Sequence, residues 1–157
     1  MAGQRILLTG ATGFVGPQLL KKLKSGFFSD AEYLVWDYQP NIPQPGSQTN
    51  VDICSAEMVA GSVASFLPTH VIHLAAQSHV PTSFCSPELT WRINVMGTLN
   101  LFEALKKFAP DAGVIYISSS EVYGASFQVG VPLREDALLQ PQNPYATSKA
   151  AADLMAG

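Results

Sequence analysis

Short apolar runs alternate along the chain with longer stretches in which apolar positions recur at helical spacing. Strands are expected at residues 5–9, 33–37, 71–75 and 114–118, with a weaker one at 49–51. Phe14, Leu19, Leu20 and Leu23 form a helical set after the first strand, and Met58, Val59, Val63 and Phe66 form another after the third. A longer helix is expected after the fourth strand. Ser86 caps it, Pro87 suits its first turn, Leu89, Ile93, Met96, Leu99, Phe102 and Leu105 make one stripe, and Pro110 stops it. Asn143 and Pro144 repeat the cap-and-proline pattern for a last helix. Strand and helix in alternation predict an α/β fold with a parallel sheet covered on both faces. Proline and glycine crowd residues 40–46 and 124–144, which read as loops, and no internal repeat or low-complexity tract is present. The second loop either borders a ligand crevice or is ordinary surface.

The first strand runs straight into Thr9-Gly10-Ala11-Thr12-Gly13-Phe14-Val15-Gly16 and then a helix. Gly10 suits a tight turn, Gly13 a point where backbone meets a pyrophosphate, and Gly16 the packing of helix on strand, with the helix N-terminus facing the anion. Asp37 closes the second strand 21 residues after Gly16, where a carboxylate can accept from adenosine ribose hydroxyls. No Arg or Lys occurs at residues 38–41, and a carboxylate repels a 2′-phosphate, so NAD is expected in preference to NADP. The plainer alternative is a glycine-rich turn without a ligand and an Asp that merely caps its strand.

Composition narrows the partners. The 157 residues are 47% hydrophobic and 13% charged, which suits one compact domain and excludes disorder. Nine Lys and Arg against twelve Asp and Glu leave a net charge of −3, with no basic surplus for nucleic acid. Cys54 and Cys85 are too few for a disulfide scaffold and lack metal-type spacing, so a reducing cytoplasm is expected. One cation, Arg5, precedes a three-residue apolar run, and no stretch approaches the ~18 apolar residues of a membrane span. The chain is therefore expected to be neither exported nor embedded. His70 and His73 lie three apart on a strand and face opposite ways, which argues against a metal site. His73 reads as a core residue, and His79 as a loop residue that can face substrate.

The glycine turn is accompanied by Asp52-Ile53 after the third strand and His73-Leu74-Ala75-Ala76 ending the fourth. Asn94-Val95-Met96-Gly97-Thr98, Ser118 to Gly124 (SSSEVYG) and Tyr145-Ala146-Thr147-Ser148-Lys149 follow. Together these motifs resemble the extended short-chain dehydrogenase/reductases, the nucleotide-sugar epimerases and dehydratases, over nearly the whole chain. The resemblance implies a Rossmann-like, doubly wound sheet, an NAD(P) cofactor and a nucleotide-sugar substrate. Ala76-Gln77-Ser78-His79-Val80, Ser83-Phe84 and Ser86-Pro87-Glu88 look like the GDP-mannose 4,6-dehydratases. Gly13 to Gly16 and Asn94 look more like the GDP-4-keto-6-deoxymannose reductases.

By the same resemblance, Gly10, Thr12, Gly13, Phe14, Val15, Gly16 and Asp37 would hold the cofactor, with Asp52 and Ile53 at the adenine. Leu74, Ala75, Ala76, Asn94, Ile117 and Ser118 would line its length, ending at Tyr145 and Lys149. Ser78, His79, Ser119, Ser120 and Glu121 would face the sugar. Asn94 stands in an otherwise apolar stripe, and burying its amide unpartnered would cost on the order of 1–3 kcal/mol. It must therefore bond to backbone or water, in a structural or a catalytic role.

Tyr145 and Lys149 are four apart on the last helix and share a face. A free tyrosine has a pKa of about 10, and lowering it by ~3 units requires roughly 4 kcal/mol. One cation at ~6 Å in an effective dielectric of ~20 supplies on the order of 3 kcal/mol. Lys149 thus provides most of the shift, and a nicotinamide ring the rest; the alternative is an inert Tyr and Lys on an amphipathic helix. The resemblance makes Ser119 the hydroxyl that orients the sugar oxygen which Tyr145 deprotonates. It makes Glu121 the base that removes the C5 proton once hydride has left C4, before water leaves C6 and hydride returns there. The alternative is an exposed, inert Glu121, since related reductases can also carry an acidic residue at this position.

Members of this family continue for about as long again beyond the position of Lys149. The chain is accordingly expected to be an incomplete Rossmann domain, residues 1–157, without the last strands and the C-terminal substrate domain. Residues 114–118 would then form an uncovered, aggregation-prone edge, and turnover would be small or nil. A non-catalytic cofactor-binding fragment is the corresponding alternative. The helices bearing Asn94 and Tyr145 form the usual dimer face of the family, which implies a possible homodimer.

Overall fold

Ile6, Leu7, Leu8 and Thr9 are all buried, and four consecutive buried residues on one strand require cover on both faces of its sheet. That strand, β1 (Arg5–Thr9), is central in the computed structural model, which describes residues 3–26, 28–37, 48–128 and 130–157. Two units divide the chain: Met1–Ala75 with Asn100–Ile117, and Ala76–Leu99 with Ser118–Gly157.

In the first unit, β1 pairs in parallel with β2 (Glu32–Asp37) and, on its other side, with a later strand at His70–His73. With β3 (Gln48–Asn50), that strand as β4, and β5 (Gly113–Tyr116), the sheet order is β3-β2-β1-β4-β5. Leu8 lies opposite Val35 and Ile72, and helix α1 (Gly16–Lys24) lays Leu19 and Leu20 against this face. Thr9, Trp36 and His73 occupy the register position that faces the other way. Helix α2 (Ala56–Phe66) covers that side, where Trp36 Nε1 donates to Ser62 Oγ at 2.9 Å and the Arg5 guanidinium sits 4.8 Å from the Phe66 ring centre. The doubly wound parallel sheet is thus present.

Several boundaries differ from expectation. Leu74 and Ala75 leave the ladder because their amides turn onto Thr9, to its carbonyl (3.2 Å) and its Oγ1 (3.1 Å). The last strand likewise stops at Tyr116. Phe14 belongs to the glycine turn and is fully exposed, and Met58 faces solvent on α2. The expected loop at residues 40–46 lies outside the described residues. β5 is one of the two edge strands, with Val114 and Ile115 exposed.

The second unit departs most from the periodicity. An unanticipated helix α3 (Val80–Cys85) precedes α4 (Pro87–Trp91), and α4 passes through a π-helical turn, Arg92–Gly97, into α5 (Thr98–Phe108). Among the described residues no side chain caps α4; Ser86 instead accepts through its carbonyl from Thr90 N and Oγ1, both at 3.2 Å. The buried face here is Thr90, Asn94 and Thr98, while Leu89 and Met96 of the expected stripe are exposed. Two 3-10 turns, Ser120–Val122 and Gly124–Ser126, lead through an irregular segment to α6 (Pro144–Ala156). Asn143 caps α6 as expected, its Oδ1 accepting from Ala146 N at 2.8 Å. α6 packs on α3, α4, the π turn and the first 3-10 turn. No helix among the described residues is long and apolar enough to cross a membrane.

Candidate active site

Backbone sterics shape the turn that leaves β1. Gly10 has φ +67°, and a Cβ there would lie 2.6 Å from Ala75 N, so both conformation and space demand glycine. A Cβ at Gly16 would fall 2.2 Å from Ala11 O. Gly13 differs: a Cβ would approach the Gly10 carbonyl at 3.2 Å and meet nothing else within 4 Å. Packing within the chain thus makes a weaker demand for glycine at 13 than at 10 or 16. Thr12, Gly13, Phe14 and Val15 are all exposed, and among the described residues no side chain caps α1. Amide groups at a helix start of this kind suit an anion.

Asp37, at the end of β2, is buried, and its Oδ1 accepts from Thr12 Oγ1, which ties the carboxylate to the glycine turn. Its Oδ2 is buried without a hydrogen-bond partner among the described residues. An orphaned carboxylate oxygen beside the turn is what a ribose diol would satisfy, so the residues fit a dinucleotide. Asp52 is half-buried, with Oδ1 accepting from Cys54 N at 2.9 Å, and Ile53 is buried, its carbonyl accepting from Asn100 Nδ2 at 3.0 Å. Ala75 lies half-buried against Gly10, Leu74 packs with the Leu8 cluster, and Ile117 is exposed beyond β5. His73 is a core residue, its Nδ1 2.7 Å from Thr9 Oγ1, while His70 is exposed.

The second unit holds the other expected residues. Ser119 Oγ accepts from Glu121 N at 3.2 Å, opening the first 3-10 turn. This uses an oxygen lone pair and leaves the hydroxyl proton to donate. Glu121 is half-buried, and its Oε2 accepts from Asn143 Nδ2 at 2.7 Å. Tyr145 is half-buried and Lys149 buried, one turn apart on α6. Burial lowers the Lys149 ammonium from 10.5 to about 8, with the Asp153 carboxylate one turn on opposing the shift. Lys149 therefore stays mostly charged at neutral pH. Ser118 Oγ is buried without a partner among the described residues, whereas Ser120 is exposed. Ser78 and His79 are exposed, with His79 Nδ1 2.9 Å from Thr82 Oγ1, and Ala76 is half-buried.

Asn94 is buried and fully engaged with the chain. Its Oδ1 accepts from Gln77 N (2.8 Å), and its Nδ2 donates to Gln77 O (3.1 Å) and Ser148 Oγ (2.9 Å). The backbone partner required by its burial is thus Gln77, and the amide acts as a brace. Two contributors escaped the sequence reading. Gln77, which also donates to Thr90 Oγ1 at 2.8 Å, was legible only as part of the motif at residues 76–80, not as the partner of Asn94. Asn143 was legible only as a cap, since its second bond joins residues 22 apart.

A glycine turn of this geometry on the central strand of a parallel sheet, followed by a buried carboxylate on the next strand, defines a dinucleotide-binding domain of the Rossmann type. The chain belongs to the NAD-dependent epimerase/dehydratase family, whose model matches residues 6–156. It is 38% identical to the GDP-6-deoxy-D-mannose reductase of Pseudomonas aeruginosa over 96% of this chain and 45% of that protein. A solved structure of RMD from Pseudomonas aeruginosa with NADPH superposes with a TM-score of 0.78 at 36% identity, over 97% of this chain and 48% of the other. DesIV, a dTDP-glucose 4,6-dehydratase from Streptomyces venezuelae solved with NAD, gives 0.83 at 31% identity, over 98% and 50%. The chain spans about half the length of the curated relatives it matches.

Proposed function

We propose that this chain provides the cofactor-binding and proton-transferring residues of an NAD-dependent nucleotide-sugar dehydratase of the GDP-mannose 4,6-dehydratase type. One observation carries the reading: the 3-10 turn bearing Glu121 packs on α6, which bears Tyr145 and Lys149. A dehydratase needs this combination, a phenol–ammonium pair for the sugar hydroxyl and a separate carboxylate for a carbon acid.

In the proposed cycle the Ser119 hydroxyl donates to the C4 oxygen, and the Tyr145 phenolate takes its proton while the Lys149 ammonium stabilises the negative form. A nicotinamide dinucleotide, when bound, supplies acceptance of hydride and its later return. Glu121 removes the C5 proton, made acidic by the C4 ketone, and gives it to the departing C6 hydroxyl, so that one water leaves. When hydride is returned to C6, C5 takes a proton from solvent through Glu121, and the proton held by Tyr145 is released to solvent. Gly13 and the α1 N-terminus would hold the pyrophosphate, and Asp37 the ribose. The carboxylate at Asp37 supports NAD over NADP.

The identity with a GDP-6-deoxy-D-mannose reductase favours a second reading, in which Tyr145 protonates the C4 oxygen of a keto sugar and Glu121 takes no part. Incubation with GDP-mannose and NAD+, followed by mass analysis, separates the two. Loss of one water supports the dehydratase. Reduction of the 4-keto-6-deoxy sugar with NADH or NADPH, without dehydration, supports the reductase, and no change in either assay supports a non-catalytic cofactor-binding fragment.

A homodimer through the α4 and α6 helices is also proposed, because Leu89, Trp91, Met96, Leu154 and Met155 are exposed on or beside them. Both cysteines are thiols, which suits a reducing compartment such as the cytoplasm.

A further inference from the structure

We infer that Asn143 is a positioning residue that ties the Glu121 carboxylate to the first turn of the helix bearing Tyr145 and Lys149. The inference rests on the reading of Glu121 as the acid–base group proposed above. Both ends of the Asn143 amide are engaged: Oδ1 accepts from Ala146 N at 2.8 Å, and Nδ2 donates to Glu121 Oε2 at 2.7 Å. These ends cannot be exchanged. One partner is a backbone N–H, which only donates, and the other a carboxylate oxygen, which accepts. A flipped amide would set donor against donor and acceptor against acceptor.

The chain brings the two residues together by a defined route. Just after Glu121, Gly124 adopts φ +41°, and a Cβ there would lie 2.0 Å from Gln140 O. The returning segment is bonded onto this turn, with Ala125 N donating to Gln140 O at 2.9 Å and Gln140 N to Val122 O at 3.1 Å. Asn143 follows three residues later. On its other side the Glu121 backbone N–H is held by Ser119 Oγ at 3.2 Å. Ser119, Glu121 and the start of α6 are thereby joined in one series of hydrogen bonds, with Asn143 as the link into the helix.

Helix capping alone does not account for this amide. Aspartate caps a helix about as well as asparagine does, but it has no donor for a carboxylate and repels one. Asn143→Asp therefore separates the two tasks, keeping the cap and breaking the tie. In NMR spectra of the 157-residue chain, the Asn143 side-chain amide proton bonded to Glu121 is expected downfield and moves upfield in Glu121→Ala. Ala146 N–H keeps its exchange protection in Asn143→Asp, while the Glu121 carboxyl resonance shifts. An Asn143 amide signal unchanged by Glu121→Ala, or a Glu121 resonance unchanged by Asn143→Asp, overturns the inference. In turnover, measured on the chain extended to the length of its relatives, Asn143→Asp is expected to lower kcat for dehydration roughly tenfold to a hundredfold with little change in KM, the scale of a misplaced reacting group. An unchanged kcat with the tie broken also overturns it. Dehydration retained in Glu121→Ala would instead refute the acid–base reading itself, whatever the spectra show.

Discussion

Lys149 is only 4% exposed inside the second unit, and burial of its charge lowers its pKa to about 8. Relative to the ordinary 10.5, that depression corresponds to about 3 kcal/mol against the folded state wherever the group is protonated in both states. The full cost applies below about pH 8. Between 8 and 10.5 the unfolded chain binds more protons than the folded one, so this contribution to stability rises with pH until the cost is gone. Lys149→Met is therefore expected to raise the urea midpoint at about pH 7, while the gain over wild type fades towards pH 10. An equal gain at both pH values would contradict the assignment of the cost to a buried charge.

Two of the turn glycines, Gly10 and Gly13, test the difference between fold and ligand at single positions. Gly10→Ala meets Ala75 N at 2.6 Å with a positive φ and is expected to cost about 2–4 kcal/mol or to prevent folding. Gly13→Ala meets only a carbonyl at 3.2 Å, so its stability should change by less than about 1 kcal/mol while affinity for NADH falls tenfold or more. Denaturation and calorimetric titration of both variants check this; unchanged affinity in Gly13→Ala would remove the turn from the binding site. The tight-turn role of Gly10 and the packing role of Gly16 were legible in the sequence because strand, turn and helix are contiguous. The Asn143–Glu121 bond was not, because nothing in either neighbourhood encodes a partner 22 residues away.

Among the elements, the α4–π–α5 helix shows where periodicity misleads. A stripe from Leu89 to Leu105 presumes uninterrupted α-helical phase, and the π turn at Arg92–Gly97 breaks that phase. Thr90, Asn94 and Thr98 take the inward face instead, and Thr98 Oγ1 donates to Asn94 O at 2.7 Å. A polar inward face over about two turns gives no hydrophobic signal, although the burial penalty correctly required a backbone or water partner for Asn94. Asn94→Ala deprives the Gln77 N–H and carbonyl of partners and should cost about 1–3 kcal/mol. A urea midpoint equal to wild type would mean that the Gln77 backbone finds water instead. By contrast, β1, β2 and α6 were legible almost to the residue, because each is bounded by a glycine, an aspartate or a capping asparagine.

For the whole molecule, family membership and sheet order agree with the alternating pattern of strands and helices, while the particular sugar chemistry rests on a handful of side chains. The exposed apolar residues of α4 and α6 make assembly a separate prediction: light scattering should show a dimer that Leu154→Asp dissociates, and a wild-type monomer would contradict it. The most direct measurement is titration of the chain with NADH and with NADPH, followed by backbone amide shifts. The expected result is saturable binding of NADH, with the largest shifts at Gly10, Thr12, Gly13 and Asp37, and weaker binding of NADPH. Shifts confined to other residues, or none with either nucleotide, would contradict the assignment of the β1–α1 turn as the dinucleotide site.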